Sequence, residues 1–296
     1  MLPILRILAP NPSIYTLEGT NTWVVGRDPS IVIDPGPDDP SHLDEVARAA
    51  GPVALVLVTH DHPDHAPGAP PFAGLVAAPL HAWRMQGAEP IRDGQVFHAG
   101  STTLTAVHAP GHSVDHVVFH VPAAGAMFTG DVVLGRGTSF VDPPDGDLVK
   151  YLRSLGRLQE MRPRVLYPGH GPVILHAEAK LREYVEHRAE REGQIVAALA
   201  RGDRTIADIV EEVYAEYAAD VRPLAARSVL AHLIKLENEG RVTREGKGEG
   251  ARWTASEIRA CARCGRPVVG RGRYCASCSL ILLQEGASEV GETAVE

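Results

Sequence analysis

The sequence predicts an α/β layered sandwich, followed by a winged helix and a small cysteine-based zinc ribbon. Three observations carry this. Short apolar runs rich in β-branched residues, each closed by Gly, Pro or Asp, alternate with helical segments through the first two-thirds of the chain. After Gly202 the pattern changes to helix, helix, hairpin. Near the end stand two Cys-x-x-Cys pairs, Cys261/Cys264 and Cys275/Cys278, separated by ten residues.

The strands are expected at Asn21–Val25, Ile31–Pro35, Val53–Thr59, Thr102–Ala109, Val117–Val121, Ala126–Thr129 and Val165–Tyr167. Helices fall between and after them, at Ser41–Ala50, Asp147–Glu160 and Ala177–Ala200, the last with Leu181, Val185, Ile195, Val196 and Leu199 among many charges. Thr205–Tyr217 and Leu224–Glu239 read as amphipathic helices, and Gly240 ends the second. Arg241-Val-Thr-Arg and Ala251-Arg-Trp flank a glycine-rich tip and read as a hairpin.

With 296 residues, 44% of them hydrophobic, the chain has ample material for a core. No run approaches the roughly 18 uncharged apolar residues that span a bilayer, and Pro3 and Arg6 interrupt the apolar start, so a cytoplasmic protein without membrane partners is expected. The net charge of −8 hides a reversal: residues 241–273 carry +6 and the remainder −14. Disulfides need an oxidising compartment, so a structural zinc is preferred for Cys261, Cys264, Cys275 and Cys278. Arg263, Arg266, Arg271 and Arg273 decorate that ribbon and suit a phosphate backbone or an acidic partner protein.

The chemistry concentrates in Thr59-His60-Asp61-His62-Pro63-Asp64-His65, directly after an apolar strand. Two histidines one residue apart can face one ion, while Asp64 and His65 face a second. His112, Asp131 and His170 each follow another strand, beside a glycine that permits a tight turn. Imidazole and carboxylate groups of this kind suit two divalent ions, with zinc preferred and manganese or iron as alternatives. Asp131 is placed to bridge them.

The order T-H-x-H-x-D-H, G-H, G-D, G-H resembles the metallo-β-lactamase superfamily pattern, with every position filled. The resemblance implies an αββα sandwich, with His60, His62 and His112 on one metal, Asp64, His65 and His170 on the other, and Asp131 between. Glyoxalase II, lactonases, nucleases and oxidoreductases share these motifs. Gly19-Thr-Asn-Thr-Trp, His108-Ala-Pro-Gly-His-Ser-Val-Asp-His, Phe128-Thr-Gly-Asp and Leu166-Tyr-Pro-Gly-His-Gly-Pro are similar to the β-lactamase-like endoribonuclease family, in which a winged helix follows the hydrolase domain. The cysteine module departs from that family.

The expected division is a hydrolase domain over 1–200, a winged helix over 201–256, the zinc ribbon over 257–282 and a disordered acidic tail over 283–296. Two cations sharing one water lower its pKa towards neutrality, which suits hydrolysis by metal-bound hydroxide. Asp131 and Asp64 are expected to be catalytic by orienting the nucleophile, and Asp64 to carry a proton afterwards. Asp34 is expected to support the metal loop. Asp61, His108 and His116 are candidates for proton transfer or substrate contact, with hydrogen-bonded structural roles as the alternative. Thr138, Lys150, Tyr151, His176 and Arg182 are candidate polar groups of the cleft, and Trp23 and Tyr167 are candidates to stack on a base or to fill the core. The leading function is an endoribonuclease acting on single-stranded RNA, guided by the basic C-terminal region. Alternatives are a thioester or lactone hydrolase, and a nucleic-acid-binding protein whose hydrolase domain is vestigial.

Overall fold

A computed structural model describes residues 2–218 and 221–284. It divides into two compact units, Met1–Ser139 with Asp145–Arg182, and Phe140–Pro144 with Glu183 onward.

In the first unit, β1 (Ile4–Leu8), β2 (Asn21–Gly26), β3 (Ser30–Ile33), α1 (Pro40–Ala50), β4 (Val53–Leu57), α2 (Ala69–Val76), β5 (Leu80–Ala82) and β6 (Glu89–Pro90) come first. They are followed by β7 (Val96–Ala99), β8 (Thr102–His108), β9 (Val117–Val121), β10 (Ala126–Gly130), α3 (Leu148–Glu160), β11 (Val165–Pro168) and the start of α4 (Ala177–Leu199). One sheet has the order β1-β2-β3-β4-β5-β6 and the other β11-β10-β9-β8-β7.

Alternation along the strands builds the layers. Trp23, Val25, Ile31 and Ile33 of the first sheet pack with Leu104, Ala106, Phe119 and Phe128 of the second. Their neighbours Val24 and Val32 turn the other way, onto Leu43 and Val46 of α1 and Phe72 of α2. The expected αββα sandwich is the observed fold.

All seven expected strands and the first three helices are present, with shifted ends. β3 stops at Ile33 because Asp34 takes a left-handed conformation, φ 51°. Asp147 is the N-cap of α3, its Oδ1 accepting from Val149 N and Lys150 N at 3.0 Å each. The elements that sequence reasoning missed are β1, α2, β5, β6 and β7. α2 is Pro-rich, but its prolines occupy the first turn, where no intrahelical donor is required.

The second unit takes in α4 from Glu183, then α5 (Ile206–Val213), α6 (Arg222–Asn238), β12 (Val242–Glu245) and β13 (Arg252–Ala255). β14 (Ile258–Ala260), β15 (Pro267–Val269) and α7 (Ala276–Gln284) complete it. The division falls at Arg182/Glu183 rather than at residue 200, because Ile195, Val196 and Leu199 of α4 pack with Val210, Leu233 and Trp253 of the winged helix. Thr205 and Asp208 form a capping box on α5, which ends at Val213, short of the expected Tyr217. The disordered tail expected from 283 is corrected at its start: α7 runs through Leu280-Ile-Leu-Leu to Gln284, while residues 285–296 lie outside the described ones. Among the described residues no helix is long and apolar enough to cross a membrane.

A buried charge cluster lies behind α6. Glu192 on α4 accepts from Lys235 Nζ at 2.7 Å and Arg241 Nη1 at 2.8 Å. Burial works to raise its pKa, but those two cations prevail and hold it down to about 2. Burial pushes the adjacent His232 down to about 3, so this ring is neutral at pH 7 and the pairing rests on Lys235 and Arg241. Below the ordinary histidine value of 6.5 the unfolded chain takes up a proton that folded His232 refuses, so stability falls as pH falls. The loss from His232 should reach about 2 kcal/mol between pH 7 and pH 5, with Glu192 adding to it below pH 4.5. Urea unfolding of wild type and His232→Leu at both pH values checks this: the variant should lose much less stability on acidification. Equal losses would contradict the assignment.

Candidate active site

The strand ends of β4, β8, β10 and β11 meet at one edge of the sandwich and deliver every residue of the expected metal set. His60, His62 and His112 gather on one side, and Asp64, His65, Asp131 and His170 on the other, each group with its ligand atoms within 4.8 Å of one another.

The first group points bare ring nitrogens inward: His60 Nε2 lies 3.0 Å and His112 Nε2 3.1 Å from His62 Nδ1. In the second, His170 Nε2 is 3.2 Å from His65 Nε2 and 3.0 Å from Asp64 Oδ2. Asp131 faces both groups. Its Oδ1 lies 3.4 Å from His65 Nε2 and 3.3 Å from His170 Nε2, and its Oδ2 lies 3.8 Å from His112 Nε2.

These spacings fit a pair of cations. Ligands about 2.0–2.1 Å from a tetrahedral ion stand roughly 3.3–3.4 Å apart. Asp131 Oδ1 is also buried and makes no hydrogen bond of good geometry, facing the His65 and His170 ring nitrogens as an oxygen aimed at a cation would.

Each ring is fixed through its other nitrogen. Asp34 is the main anchor: its Oδ1 accepts from Thr59 N and its Oδ2 from Thr59 Oγ1, both at 2.7 Å, and Oδ2 also meets His65 Nδ1 at 2.9 Å. Thr59 Oγ1 in turn meets His60 Nδ1 at 3.0 Å. His170 Nδ1 lies 3.2 Å from the Gly19 carbonyl, His112 Nδ1 3.4 Å from Ser139 Oγ, and His62 Nε2 3.3 Å from Asp145 Oδ2. Ser139 and Asp145 were missed in the sequence, since neither lies near a histidine motif.

The electrostatics follow from crowding. Burial pushes His60 well below the ordinary histidine value, and His65, His116 and His112 add to it. Burial opposes protonation of His65 too, but the Asp131, Asp64 and Asp34 carboxylates outweigh it and hold that ring well above its ordinary value. Asp131 is held well below the usual carboxylate range: burial opposes this, and His170 and His65 prevail.

Close approach dictates Gly169. A Cβ there would stand 2.6 Å from Asp131 Oδ1 and 2.7 Å from His65 Cε1. Gly169→Ala is therefore expected to displace the Asp131 carboxylate and lower kcat by about a hundredfold, on the scale of disturbed ligand support. Parallel kinetics and metal content check it; unchanged kinetics would mean that Asp131 relocates freely.

The remaining candidates separate clearly. His116 is structural: it stacks on His60 at 4.6 Å and its Nε2 accepts from Asp131 N at 3.0 Å. His108 stacks on Trp83 at 3.8 Å, with Nε2 3.1 Å from the Val114 carbonyl. Tyr151 is corrected from a cleft group to a core one, being fully buried with its hydroxyl donating to the Val132 carbonyl at 2.6 Å. Trp23 is core as well, its indole donating to the Pro168 carbonyl at 3.0 Å, and half-buried Tyr167 stacks on Phe128. Lys150 pairs with Asp147 at 3.2 Å, while His176 and Arg182 are exposed and Thr138 is half-buried.

The rim is acidic. Asp61 is exposed, its amide donating to Asp115 Oδ2 at 2.9 Å, and partial burial followed by the nearby Asp115 raises its pKa. Asp145 accepts from Val114 N at 3.3 Å. Arg136 pairs with Glu18, and Arg157 with Asp93 at 3.0 Å. In the second unit, Cys261, Cys264, Cys275 and Cys278 also cluster, as expected.

Comparison with known proteins agrees with this geometry. The Metallo-beta-lactamase superfamily profile matches residues 15–82 and 76–170, and the Beta-lactamase associated winged helix domain matches residues 205–253. An atrochrysone carboxyl ACP thioesterase of Aspergillus chevalieri is 35% identical over 84% of this chain and 86% of its own. A beta-lactamase-like protein 2 homolog of Drosophila melanogaster is 32% identical over 81% of this chain and 89% of its own. Among solved structures, a metallo-beta-lactamase family protein from Thermus thermophilus shares the fold at TM-score 0.71 and 23% identity, over 86% of this chain and 98% of its own. The match of motif, fold and whole-chain relatives makes this chain a metallo-β-lactamase-superfamily hydrolase with a β-lactamase-associated winged helix.

Proposed function

We propose that the chain hydrolyses an acyl thioester. The observation that carries this reading is the rim of the site: exposed Asp61 and Asp145 lie beside the histidines, buried Asp115 holds the Asp61 amide, and Arg136 and Lys150 are already paired with carboxylates. An uncharged acyl group suits such a rim better than a polyphosphate backbone does. Relatives named as acyl-carrier-protein thioesterases, which match through both the sandwich and the winged helix, support the same reading.

The residues that would hold two divalent cations are His60, His62 and His112 for one, Asp64, His65 and His170 for the other, and Asp131 for both. Such a pair, when bound, acidifies a shared water and polarises the carbonyl under attack. Asp131, buried and fixed by its contacts to both groups, sets the position of the attacking water. Asp64 is half-buried, and its Oδ2 faces the same space. It orients that water and receives its proton. Water oxygen joins the acyl carbon, the carbon–sulfur bond breaks, and the proton reaches the departing thiolate, giving acid and thiol.

The second reading is cleavage of single-stranded RNA, favoured by the exposed Arg263, Arg271 and Arg273 on the cysteine module and by the winged helix. The complete ligand set speaks against a vestigial hydrolase. One experiment separates the first two readings: zinc- or manganese-loaded protein is given an acyl-N-acetylcysteamine thioester series and end-labelled single-stranded RNA. Thiol release with intact RNA is expected. RNA cleavage without thiol release would overturn the proposal in favour of the nuclease.

A further inference from the structure

Two facts about residues 257–284 are unused by the hydrolase. The four cysteines are free thiols with all Sγ atoms within 4.8 Å of one another, and Cys264 Sγ lies 3.6 Å from Cys275 Sγ. A disulfide would bring two sulfurs to about 2.05 Å, whereas four thiolates about 2.3 Å from a tetrahedral ion stand roughly 3.8 Å apart. Cys275 N donates to Cys261 Sγ at 3.3 Å and Arg266 Nε to Cys264 Sγ at 3.4 Å, so two of the sulfurs already accept hydrogen bonds as thiolates do. Gly265, at φ 73°, turns the chain between the cysteine pairs, its amide donating to the Cys261 carbonyl at 2.9 Å.

The second fact is the pleat of β15. Val268 lies in the cluster formed by Cys261, Cys275 and Cys278, with half-buried Tyr274 against it. Its neighbour Val269 points the opposite way, into the winged-helix core with Leu233, Leu236, Val242 and Trp253. The Val269 carbonyl accepts from Arg241 Nε at 3.0 Å, and Arg241 also binds the buried Glu192. Val268 and Tyr274 give the cysteine module too little apolar surface to hold β15 in place unaided.

We propose that Cys261, Cys264, Cys275 and Cys278 bind one zinc ion that clamps the winged helix, because fixing β15 seats Val269 in the winged-helix core and gives Arg241 its acceptor. The ion is separate from those of the hydrolytic site, and the clamp stands whichever substrate that site takes.

The test uses the full-length, zinc-loaded protein. Titrating the thiols with a mercurial reagent in the presence of a zinc indicator should release one zinc per chain. Hydrogen exchange should then quicken in β15, β12, β13 and the C-terminal end of α6. Val269→Ala, which keeps all four thiols, should still bind that zinc yet exchange about tenfold faster at the same winged-helix amides. Cobalt-substituted wild type should show thiolate-to-cobalt charge-transfer absorption that is weaker in Cys264→Ser. No zinc released with the thiols, or iron in its place, would overturn the metal assignment. Release that leaves winged-helix exchange unchanged would overturn the clamp.

Discussion

Asp131→Ala is expected to lose on the order of a thousandfold in kcat/KM, about 4 kcal/mol of transition-state stabilisation, while the sandwich stays folded. Oδ1 faces His65 and His170 and Oδ2 faces His112, so among the described residues no other side chain touches both ligand groups in this way. Removing it separates the two ligand groups and, on the proposed function, takes away the group that positions the attacking water. The fold should survive, because Ala keeps the backbone amide that donates to His116 and the carbonyl that accepts from Ser139. The check is steady-state hydrolysis beside circular dichroism and metal content. Wild-type activity in the variant would remove Asp131 from the machinery.

The second large effect is expected at Asp34, which is buried behind the ligands. Asp34→Asn keeps a residue that tolerates the left-handed backbone and preserves the size of the side chain. It removes one of two carboxylate oxygens that receive three donors from Thr59 and His65. Metal affinity should fall by about 10–100-fold, and stability by roughly 1–3 kcal/mol. Competition against a calibrated chelator reads the first and urea unfolding the second. Lost stability with unchanged affinity would make Asp34 a loop support only.

Much of this was legible in the sequence because metal sites are built from local motifs at strand ends. His60, His62, Asp64 and His65 announce themselves together, and His112, Asp131 and His170 each follow a readable strand. Asp34 was legible for a related reason, as an acidic residue closing a strand beside Pro35 and Gly36. Ser139, Asp115 and Asp145 were not legible, because they lie in loops whose composition says nothing about where the chain folds back. Tyr151 misled: a polar-tipped aromatic at helical spacing looks like a cleft residue until its hydroxyl is seen inside the core. β1, β5, β6 and β7 are short or lie toward a sheet edge, where pairing rather than apolar pattern makes the strand. The emphasis on RNA came from the resemblance to the endoribonuclease family, the winged helix and the basic C-terminal segment, whereas the acidic residues beside the histidines became visible only in the fold.

The missing side chain at Gly169 sets the direction in which this enzyme can be re-engineered. Nothing larger than hydrogen fits between the Asp131 carboxylate and His65, so the floor of the site is closed to variation. The freedom lies at Asp61, which is exposed and holds none of the metal-site rings. A library that neutralises or reverses that charge would redirect the protein towards anionic esters while leaving Asp145 to hold His62.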